Sequence, residues 1–360
     1  MRQLRSLALI LVGLVGLVLG LEACGVGPKA LRSGRPRYNT ALANTDNSEL
    51  LLNFVRLKYN ELPYFLEVTS ISSSLSLTAA TGVSGIKAAP RVGGSASYSE
   101  RPNIIYKPLG GERFTRQLMT PIDLQTMVLL HQAGWNLDRI FRVCVASMNE
   151  VRNAEPTNRP TPPRPPEYQT FIRIAEAMAE LEDDGLLDLG LTVAGPELKP
   201  EVRMDIELEG RNSPLGRQLF EDLQLDPSAP LYRLTTAASG GGGDTIAIVT
   251  RPLTAAMFFL SPGIEIPPIH LEKRVVAVTR QDTGELFDWS AVLGSLMRIR
   301  SSQAAPQNAF VAVQFRDIWY YIEDTDIDFR TTFSFVQLLF TLQSGELPAP
   351  GVILTLPVTG

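Results

Sequence analysis

The stretch Val202-Arg203-Met204-Asp205-Ile206-Glu207-Leu208 decides the fold class, because apolar and charged residues alternate along it without interruption. A period of two residues places every second side chain on one face, so this segment predicts a half-buried β-strand. The flanking sequence mixes further strands and helices without the regular strand–helix alternation of a doubly wound sheet. We therefore predict an α+β fold with mixed helices and mainly antiparallel strands.

Further elements are predicted on the C-terminal side of this strand. Periodicity and turn residues predict helices at 214–223, 252–260 and 330–342, strands at 231–236, 245–250, 275–279 and 352–356, and a hairpin of 309–315 with 318–322. The turn of that hairpin is Arg316-Asp317. The run Gly240–Gly243 lacks the Lys-Ser/Thr pair of a phosphate-binding loop and is interpreted as a flexible hairpin tip.

A proline-rich segment, residues 154–166, is the predicted domain boundary, because closely spaced prolines stiffen a chain and exclude regular structure. It separates an N-terminal helical region, 46–153, from a C-terminal α+β domain, 167–360. Helical spacing in the N-terminal region predicts helices at 112–119, 121–133 and 137–151. The C-terminal domain is predicted to begin with a helix whose apolar face holds Phe171, Ile174, Ala175 and Met178.

The N-terminal region is predicted to begin with a helix that is capped by Asp46 or Ser48 and ends before Pro63. Its apolar residues fall near helical spacing and are Leu51, Phe54, Val55 and Leu57. The two basic residues among them, Arg56 and Lys58, are expected to point outward, because charged side chains are rarely buried.

Residues 64–98 are rich in Ser, Gly and Thr with alternating apolar residues, which predicts a protruding β-hairpin near the N-terminus. Two interpretations are open. In one, each protomer of a ring gives its hairpin to a shared outer-membrane barrel, whose strands need about nine to eleven residues with alternating faces. In the other, the hairpin is the edge of a soluble sheet or an arm on a neighbouring subunit. Pro90 interrupts the second strand, which favours the second interpretation.

The first 24 residues have the layout of a secretory signal peptide, with Arg2 and Arg5 before an apolar run that reaches Leu21. The run ends in Leu21-Glu22-Ala23-Cys24, which resembles a bacterial lipoprotein signal. The resemblance implies a signal peptide at 1–23, lipid attachment to Cys24 and a location at the periplasmic face of the outer membrane. Glu22 departs from the pattern, so an uncleaved membrane anchor is the alternative. Residues 24–45 lack a hydrophobic period and are predicted to be a tether.

The composition is that of a globular protein, with 44% hydrophobic and 20% charged residues among 360. The formal net charge of -5 argues against nucleic acid as a partner, because such binding needs a basic surface. Of the two cysteines, Cys144 lies in an apolar segment and is expected to be a buried, inert thiol if Cys24 carries lipid. A Cys24–Cys144 disulfide is the competing expectation.

The sequence contains no complete catalytic or cofactor-binding motif, and we expect no cofactor. His131 and His270 have no second ligand at metal-binding spacing and are interpreted as structural. Asp282-Thr283-Gly284 matches the aspartic-protease triplet, but that chemistry needs two carboxylates and the triplet occurs once, so a turn is predicted. A short acidic run contains Asp324, Asp326 and Asp328. These carboxylates are either candidate ligands of a weak divalent-ion site or charges at the N-terminus of the following helix.

Two longer stretches resemble a family of uncharacterised bacterial lipoproteins. They are Leu50-Leu51-Leu52-Asn53-Phe54-Val55-Arg56-Leu57-Lys58-Tyr59 with Pro63-Tyr64-Phe65-Leu66, and Phe315-Arg316-Asp317-Ile318-Trp319-Tyr320-Tyr321-Ile322-Glu323-Asp324. The resemblance extends over most of the mature chain, and the family has no assigned activity. The first stretch is also similar to outer-membrane efflux channels of the TolC type, some of which are lipid-anchored, although their internal repeat and long helices are missing from this sequence.

These features predict a non-enzymatic, lipid-anchored cell-envelope protein that is a structural subunit of an oligomeric outer-membrane or periplasmic assembly. Its expected partners are the membrane, through the lipid, and further copies of the chain or other envelope proteins. One alternative is a periplasmic ligand-binding module with an apolar pocket lined by aromatic residues such as Trp289 and Trp319. A less favoured alternative is a hydrolase with two buried, facing carboxylates.

Overall fold

The computed structural model describes residues 26–84, 91–154, 161–194 and 199–344, which fall into two units. Of these residues, 26–47, 66–84 and 91–108 belong to a hairpin unit. The core unit contains residues 48–65 and the described residues from 109 to 344. The predicted signal peptide 1–23, Cys24 and the predicted strand 352–356 lie outside the described residues.

The hairpin unit contains a two-stranded sheet of β1 (Phe65–Ser84) and β2 (Arg91–Leu109). The Thr69 hydroxyl donates a hydrogen bond across this sheet to the carbonyl oxygen of Ile105, at 3.2 Å. The second strand runs past residue 98, the predicted end of the hairpin, because Ile104, Ile105 and Tyr106 prolong a segment that favours strand. Among the described residues, the two strands pair with no other sheet.

Helix α1 (Val26–Lys58) replaces the irregular tether predicted at 24–45 wherever that segment is described. The helix includes Pro36 and has no apolar period in its first half. Once its apolar C-terminal part is packed, each further residue needs only one more backbone hydrogen bond to join the helix. Good helix formers such as Ala41 and Leu42 assist this extension.

Six strands of the core unit form a mixed, mainly antiparallel sheet in the order β4-β3-β8-β7-β6-β5, in which β7 and β8 run parallel. The strands are β3 (Val145–Met148), β4 (Val151–Arg152), β5 (Leu187–Ala194), β6 (Lys199–Ile206), β7 (Tyr232–Thr236) and β8 (Thr245–Thr250). Val202, Met204 and Ile206 of β6 are buried, as their alternation predicts. The predicted α+β class is confirmed.

Several helices of the core unit pack against this sheet or against one another. The core unit contains α2 (Glu112–Leu118), α3 (Leu124–Gln132), α4 (Leu137–Cys144), α5 (Gln169–Asp183), α6 (Leu208–Asn212), α7 (Pro214–Leu223), α8 (Leu253–Leu260), α9 (Pro268–Glu272), α10 (Ser290–Leu293) and α11 (Ile327–Ser344). Helix α5 packs against α4 and α7. Its predicted apolar face of Phe171, Ile174, Ala175 and Met178 is fully buried.

A second sheet of the core unit is antiparallel, in the order β10-β11-β9. Its strands are β9 (Arg300–Ser302), β10 (Ala309–Phe315) and β11 (Ile318–Glu323). The predicted hairpin of 309–322 is confirmed, because Phe315 pairs with Ile318 across a two-residue turn. Both turn residues have positive φ, 50° at Arg316 and 65° at Asp317. Positive φ at both positions is the backbone of a type I′ turn, which suits the twist of the strands.

The predicted helix 137–151 ends early, at Cys144, and the chain continues as β3. The Arg251 backbone N–H donates to the Cys144 carbonyl oxygen at 2.7 Å, and its guanidinium donates to the Arg142 carbonyl oxygen at 2.9 Å. The amide of Asn153 donates to the Val145 carbonyl oxygen at 2.7 Å. Carbonyls that another helical turn would have used are therefore bound from outside, and the helix has a satisfied end.

The interpretation of Gly240–Gly243 as a hairpin tip is wrong, because β7 and β8 run parallel and residues 237–244 form the connection that returns between them. Parallel neighbours are usually joined by a dozen or more residues. The shorter connection needs glycine: Gly242 has a φ of 112°, and a Cβ at Gly241 would lie 1.6 Å from the Asn149 Oδ1. That oxygen already accepts the Ala247 backbone N–H at 2.7 Å.

The described part of the predicted linker 154–166 is packed on the core unit, and the two units do not divide at this point. Thr161 and Pro162 are buried. The Thr279 hydroxyl donates to the Pro162 carbonyl oxygen at 2.6 Å, and the Arg280 backbone N–H donates to that of Pro163 at 3.1 Å. The predicted strand 275–279 is instead an irregular segment, held by these contacts.

Candidate functional site

The core unit contains a partly open cavity of about 500 Å³. This volume lies within the range of small-molecule sites, roughly 300–1,000 Å³. The lining comes from the end of α1, the turn at Ser261–Gly263, helix α9 and the irregular segment that leads into α10. Its side chains are mainly apolar, among them Ile264, Ile266, Leu271, Val278, Phe287, Trp289 and Met297.

Lys58, the last residue of α1, lies on the buried side of this cavity with only 2% of its surface exposed. The expectation that Lys58 points outward is therefore wrong. Leu51, Phe54 and Val55 are buried, and Lys58 follows Leu51 by seven residues and Val55 by three, on the same face of the helix. The helical period places the side chain inward, and the cavity provides space for it.

The ammonium group of Lys58 has no hydrogen bond or ion pair with any residue that the structure describes. Burial away from water disfavours the charged form and lowers the pKa of Lys58 to about 8. A buried amine without a counter-ion is unusual, since charges inside proteins are normally paired. Strongly shifted titratable groups in a cleft are candidates for functional residues.

Aromatic side chains form one wall of the cavity. The rings of Phe287 and Trp289 meet edge to face, with centroids 5.4 Å apart. Tyr168 packs against the other side of Phe287 at 6.2 Å. The indole Nε1–H of Trp289 is buried without a hydrogen-bond acceptor among the described residues. The wall therefore offers an apolar, aromatic surface, which suits a ligand with an apolar body.

Charged residues at the cavity satisfy one another and are more exposed than Lys58. The Glu265 carboxylate accepts two hydrogen bonds from the Arg298 guanidinium, at 3.0 and 2.7 Å, and one from the Ser301 backbone N–H at 3.2 Å. Asp288 accepts the Ser290 backbone N–H at 2.9 Å, which lowers the pKa of that carboxyl group. Among the described residues that line the cavity, the carboxylates are Glu265 and Asp288, and neither is buried.

Beside the cavity, three buried side chains from distant parts of the sequence form a hydrogen-bonded chain. The Tyr59 hydroxyl lies 2.6 Å from His270 Nδ1 and 2.6 Å from the Tyr320 hydroxyl. Arg316 covers the Tyr59 ring, 5.0 Å from its centroid, and pairs with Glu61 at 2.8 Å. This Tyr59–His270–Tyr320 chain ties the end of α1 to α9 and β11.

One arrangement of the hydrogen atoms allows both hydrogen bonds of the Tyr59–His270–Tyr320 chain. Tyr320 donates to Tyr59, and Tyr59 donates to the unprotonated Nδ1 of a neutral His270. Burial lowers the pKa of His270 and raises the pKa of both tyrosines, so all three groups stay neutral around pH 7. His270 is therefore structural, as its isolation in the sequence predicts.

Apart from Trp289, the described residues to which the sequence points do not line the cavity. Cys24 is outside the described residues. The three aspartates of the acidic run each pair with a different arginine: Asp324 with Arg330 at 3.1 Å, Asp326 with Arg300 at 3.6 Å and Asp328 with Arg139 at 3.7 Å. Within the described ranges, no group of three His, Cys, Asp or Glu side chains is arranged to hold a metal ion.

The remaining candidates have structural surroundings. Cys144 is buried and free, and desolvation raises the pKa of its thiol to about 12, as expected of an inert cysteine. His131 lies 3.4 Å from Glu182, a neighbour from α5 that its sequence position does not reveal. Gly284 closes a turn, donating its N–H to the Gln281 carbonyl oxygen. Trp289 lines the cavity, whereas Trp319 lies on β11, outside the lining.

Among the described helices, none combines the length and apolar character needed to cross a membrane. Comparisons with family models, with curated proteins and with solved structures give no match to this chain.

Proposed function

We propose that this protein is a ligand-binding module of the bacterial cell envelope, which holds a small apolar molecule in the cavity beside Lys58. The observation that carries the proposal is Lys58 itself, a buried amine that lines an aromatic cavity and has no partner among the described residues. Packing a charge without a partner costs stability. Such a cost is typical of a binding site, in which the missing partner is a ligand.

The lipoprotein resemblance adds a location to this proposal. Lipid on Cys24 would hold the protein at the periplasmic face of the outer membrane. The intact mass of the purified protein should then show a diacylglyceryl group on Cys24 and the loss of residues 1–23. An intact mass without lipid on Cys24 would refute lipid anchoring.

Binding can be tested with a neutral apolar dye, N-phenyl-1-naphthylamine, titrated against the full chain in mild detergent. We expect a saturable rise in fluorescence with one site per chain. Val278→Trp should abolish that site, because a larger side chain at this lining position fills the cavity. Leu208→Trp is the matched control, since Leu208 is exposed and lies outside the cavity lining. Equal binding by the two variants would refute the proposal.

The second candidate function is that of a structural subunit in an oligomeric envelope assembly, with the hairpin unit as the contact. The observation that favours it is the long sheet of β1 and β2, which has no further strand among the described residues. A two-stranded sheet alone is only marginally stable in water. Its exposed apolar side chains include Leu66, Ile104, Ile105 and Tyr106. Another copy of the chain would cover them.

Native mass in detergent tests this second candidate. The full chain should give an oligomer, and deletion of residues 66–108, which removes these side chains, should reduce it to a monomer. A monodisperse monomer before the deletion would refute the structural role and leave the ligand-binding proposal intact.

A further inference from the structure

Lys58 has the features of a nucleophilic amine as well as those of a binding group. We propose that Lys58 forms an imine with the carbonyl group of an aldehyde or ketone ligand held in the cavity. This inference rests on the proposed function, because the ligand must first enter the cavity.

The surroundings of Lys58 leave its amine available for reaction. The Nζ of Lys58 has neither a hydrogen-bond partner nor a carboxylate within ion-pair distance among the described residues. The side chain lines the cavity while being 98% removed from solvent. Lysine in an apolar pocket without a counter-ion loses its proton more easily, which is how lysine nucleophiles are activated. Around pH 8, a large share of Lys58 is in the neutral form that attacks carbonyls.

A neutral carbonyl compound suits the surroundings better than a carboxylate does. The cavity lining already contains two carboxylates, Glu265 and Asp288, which repel an anion. Its second cation, Arg298, is held by Glu265. A carboxylate at Lys58 would therefore meet one cation and two like charges. A neutral carbonyl compound adds no charge to this lining, and its carbonyl carbon can accept the lone pair of the Lys58 amine.

The reaction needs no oxidant or reductant. The ammonium first loses its proton to solvent, which reaches the partly open cavity. The nitrogen lone pair then forms a bond to the carbonyl carbon, and the electrons of the C=O π bond move to oxygen. A proton from solvent and one from nitrogen leave with that oxygen as water, which creates the C=N bond of a protonated imine. Water reverses the reaction, so the ligand is held reversibly.

Reductive trapping tests the inference. The full chain is incubated with benzaldehyde and sodium cyanoborohydride, which reduces the imine to a stable benzylamine. We expect one benzyl group per chain, mapped to Lys58 by peptide mass spectrometry. The trapping rate should rise as the pH approaches about 8, where Lys58 loses its proton, and fall at higher pH, because the reduction needs a protonated imine. An ordinary exposed lysine has about 100-fold less neutral amine at pH 8, so adducts on exposed lysines should form far more slowly.

Two variants separate the imine from simple binding. Lys58→Arg keeps the positive charge but cannot form the imine, so it should lose the adduct at position 58. Val278→Trp should lose the adduct because the cavity is filled. Benzoate, which has the same ring but a carboxylate in place of the aldehyde, should not protect Lys58 at concentrations at which benzaldehyde is trapped. Labelling spread evenly over exposed lysines would overturn the inference.

The outcomes also separate this inference from the proposed function. If the neutral dye binds and Val278→Trp blocks it, but Lys58 is not trapped, the cavity binds ligands without an imine and this inference is overturned. If the dye does not bind and Lys58 is not trapped, both are overturned. If trapping at Lys58 depends on an open cavity, both are supported.

Discussion

At the scale of single residues, Lys58 should lower the stability of the protein. Shifting the pKa of a lysine from 10.5 to about 8 corresponds to about 3 kcal/mol of unfavourable burial at neutral pH. Lys58→Met keeps most of the side-chain volume and removes the charge. We therefore expect Lys58→Met to raise the free energy of unfolding at pH 7 by up to about 3 kcal/mol. Chemical denaturation measures it, and a destabilised variant would contradict the prediction.

The pH dependence of that difference follows from linkage. At pH 7, Lys58 is mostly charged in the folded and the unfolded chain, so the full penalty of burial applies. Between about pH 8 and 10.5, the unfolded chain holds a proton that the folded chain has released, so the wild-type protein gains stability as the pH rises. The free energy of unfolding of Lys58→Met should therefore exceed that of the wild-type protein by less and less as the pH rises from about 8 to 10.5. A difference that is constant from pH 7 to 10 would contradict the burial of Lys58.

Tyr59→Phe should destabilise the protein by about 2 kcal/mol, because it leaves a buried acceptor on His270 and a buried donor on Tyr320 unpaired. Tyr64→Phe is the matched control. The Tyr64 side chain is about half exposed, so the loss of its hydroxyl should change the free energy of unfolding by less than about 0.5 kcal/mol. Urea unfolding of both variants measures the two changes in free energy. Equal changes would show that the Tyr59–His270–Tyr320 chain does not stabilise the fold.

At the scale of elements, the turn between β10 and β11 contains a removable strain. Asp317 has a φ of 65°, a conformation that costs a non-glycine residue about 1–2 kcal/mol per position. Asp317→Gly should stabilise the hairpin by about 1 kcal/mol. Arg316→Gly is the comparison: it relieves the same strain but removes the ion pair with Glu61 and the contact with Tyr59, so it should stabilise less. A loss of stability in Asp317→Gly would contradict this account.

Elements with a clear local pattern could be predicted from the sequence, and those limited by distant partners could not. The helix 214–223, the strand 245–250 and the hairpin 309–322 are found where apolar spacing and turn residues place them. Helix α4 is shorter than its pattern because Arg251, more than a hundred residues later, binds its last carbonyls. The direction of β8 beside β7 is likewise a property of the assembled sheet.

At the scale of the whole molecule, the core unit should fold without the hairpin. Its core residues lie in 48–65 and beyond residue 109, so deletion of residues 70–98 removes none of the side chains that line the cavity. We expect the deletion variant to keep a single cooperative thermal transition and to bind N-phenyl-1-naphthylamine as the full chain does. Loss of dye binding together with that transition would contradict the division into two units.

The candidate site could be foreseen only in part, because it is assembled over long range. The sequence suggests Trp289 as an aromatic residue of a pocket, and it does line the cavity. Residue type alone predicts Lys58 on the surface, whereas its spacing from Leu51 and Val55 places it on the buried face. For Lys58, helical spacing therefore predicts burial better than polarity does. A single sequence contains no pattern that predicts the contact of residue 58 with residues 262–298.

The Tyr59–His270–Tyr320 chain has a consequence for how this protein can diverge. Each of the three groups satisfies another, so the loss of one leaves a buried polar atom that only a second change can repair. Phenylalanine at 59 would favour an apolar residue at 270 and phenylalanine at 320. In relatives of this chain, positions 59, 270 and 320 should therefore covary, although more than two hundred residues separate the first from the other two. Covariation of these three positions would identify relatives that share the core, even where their cavities bind a different ligand.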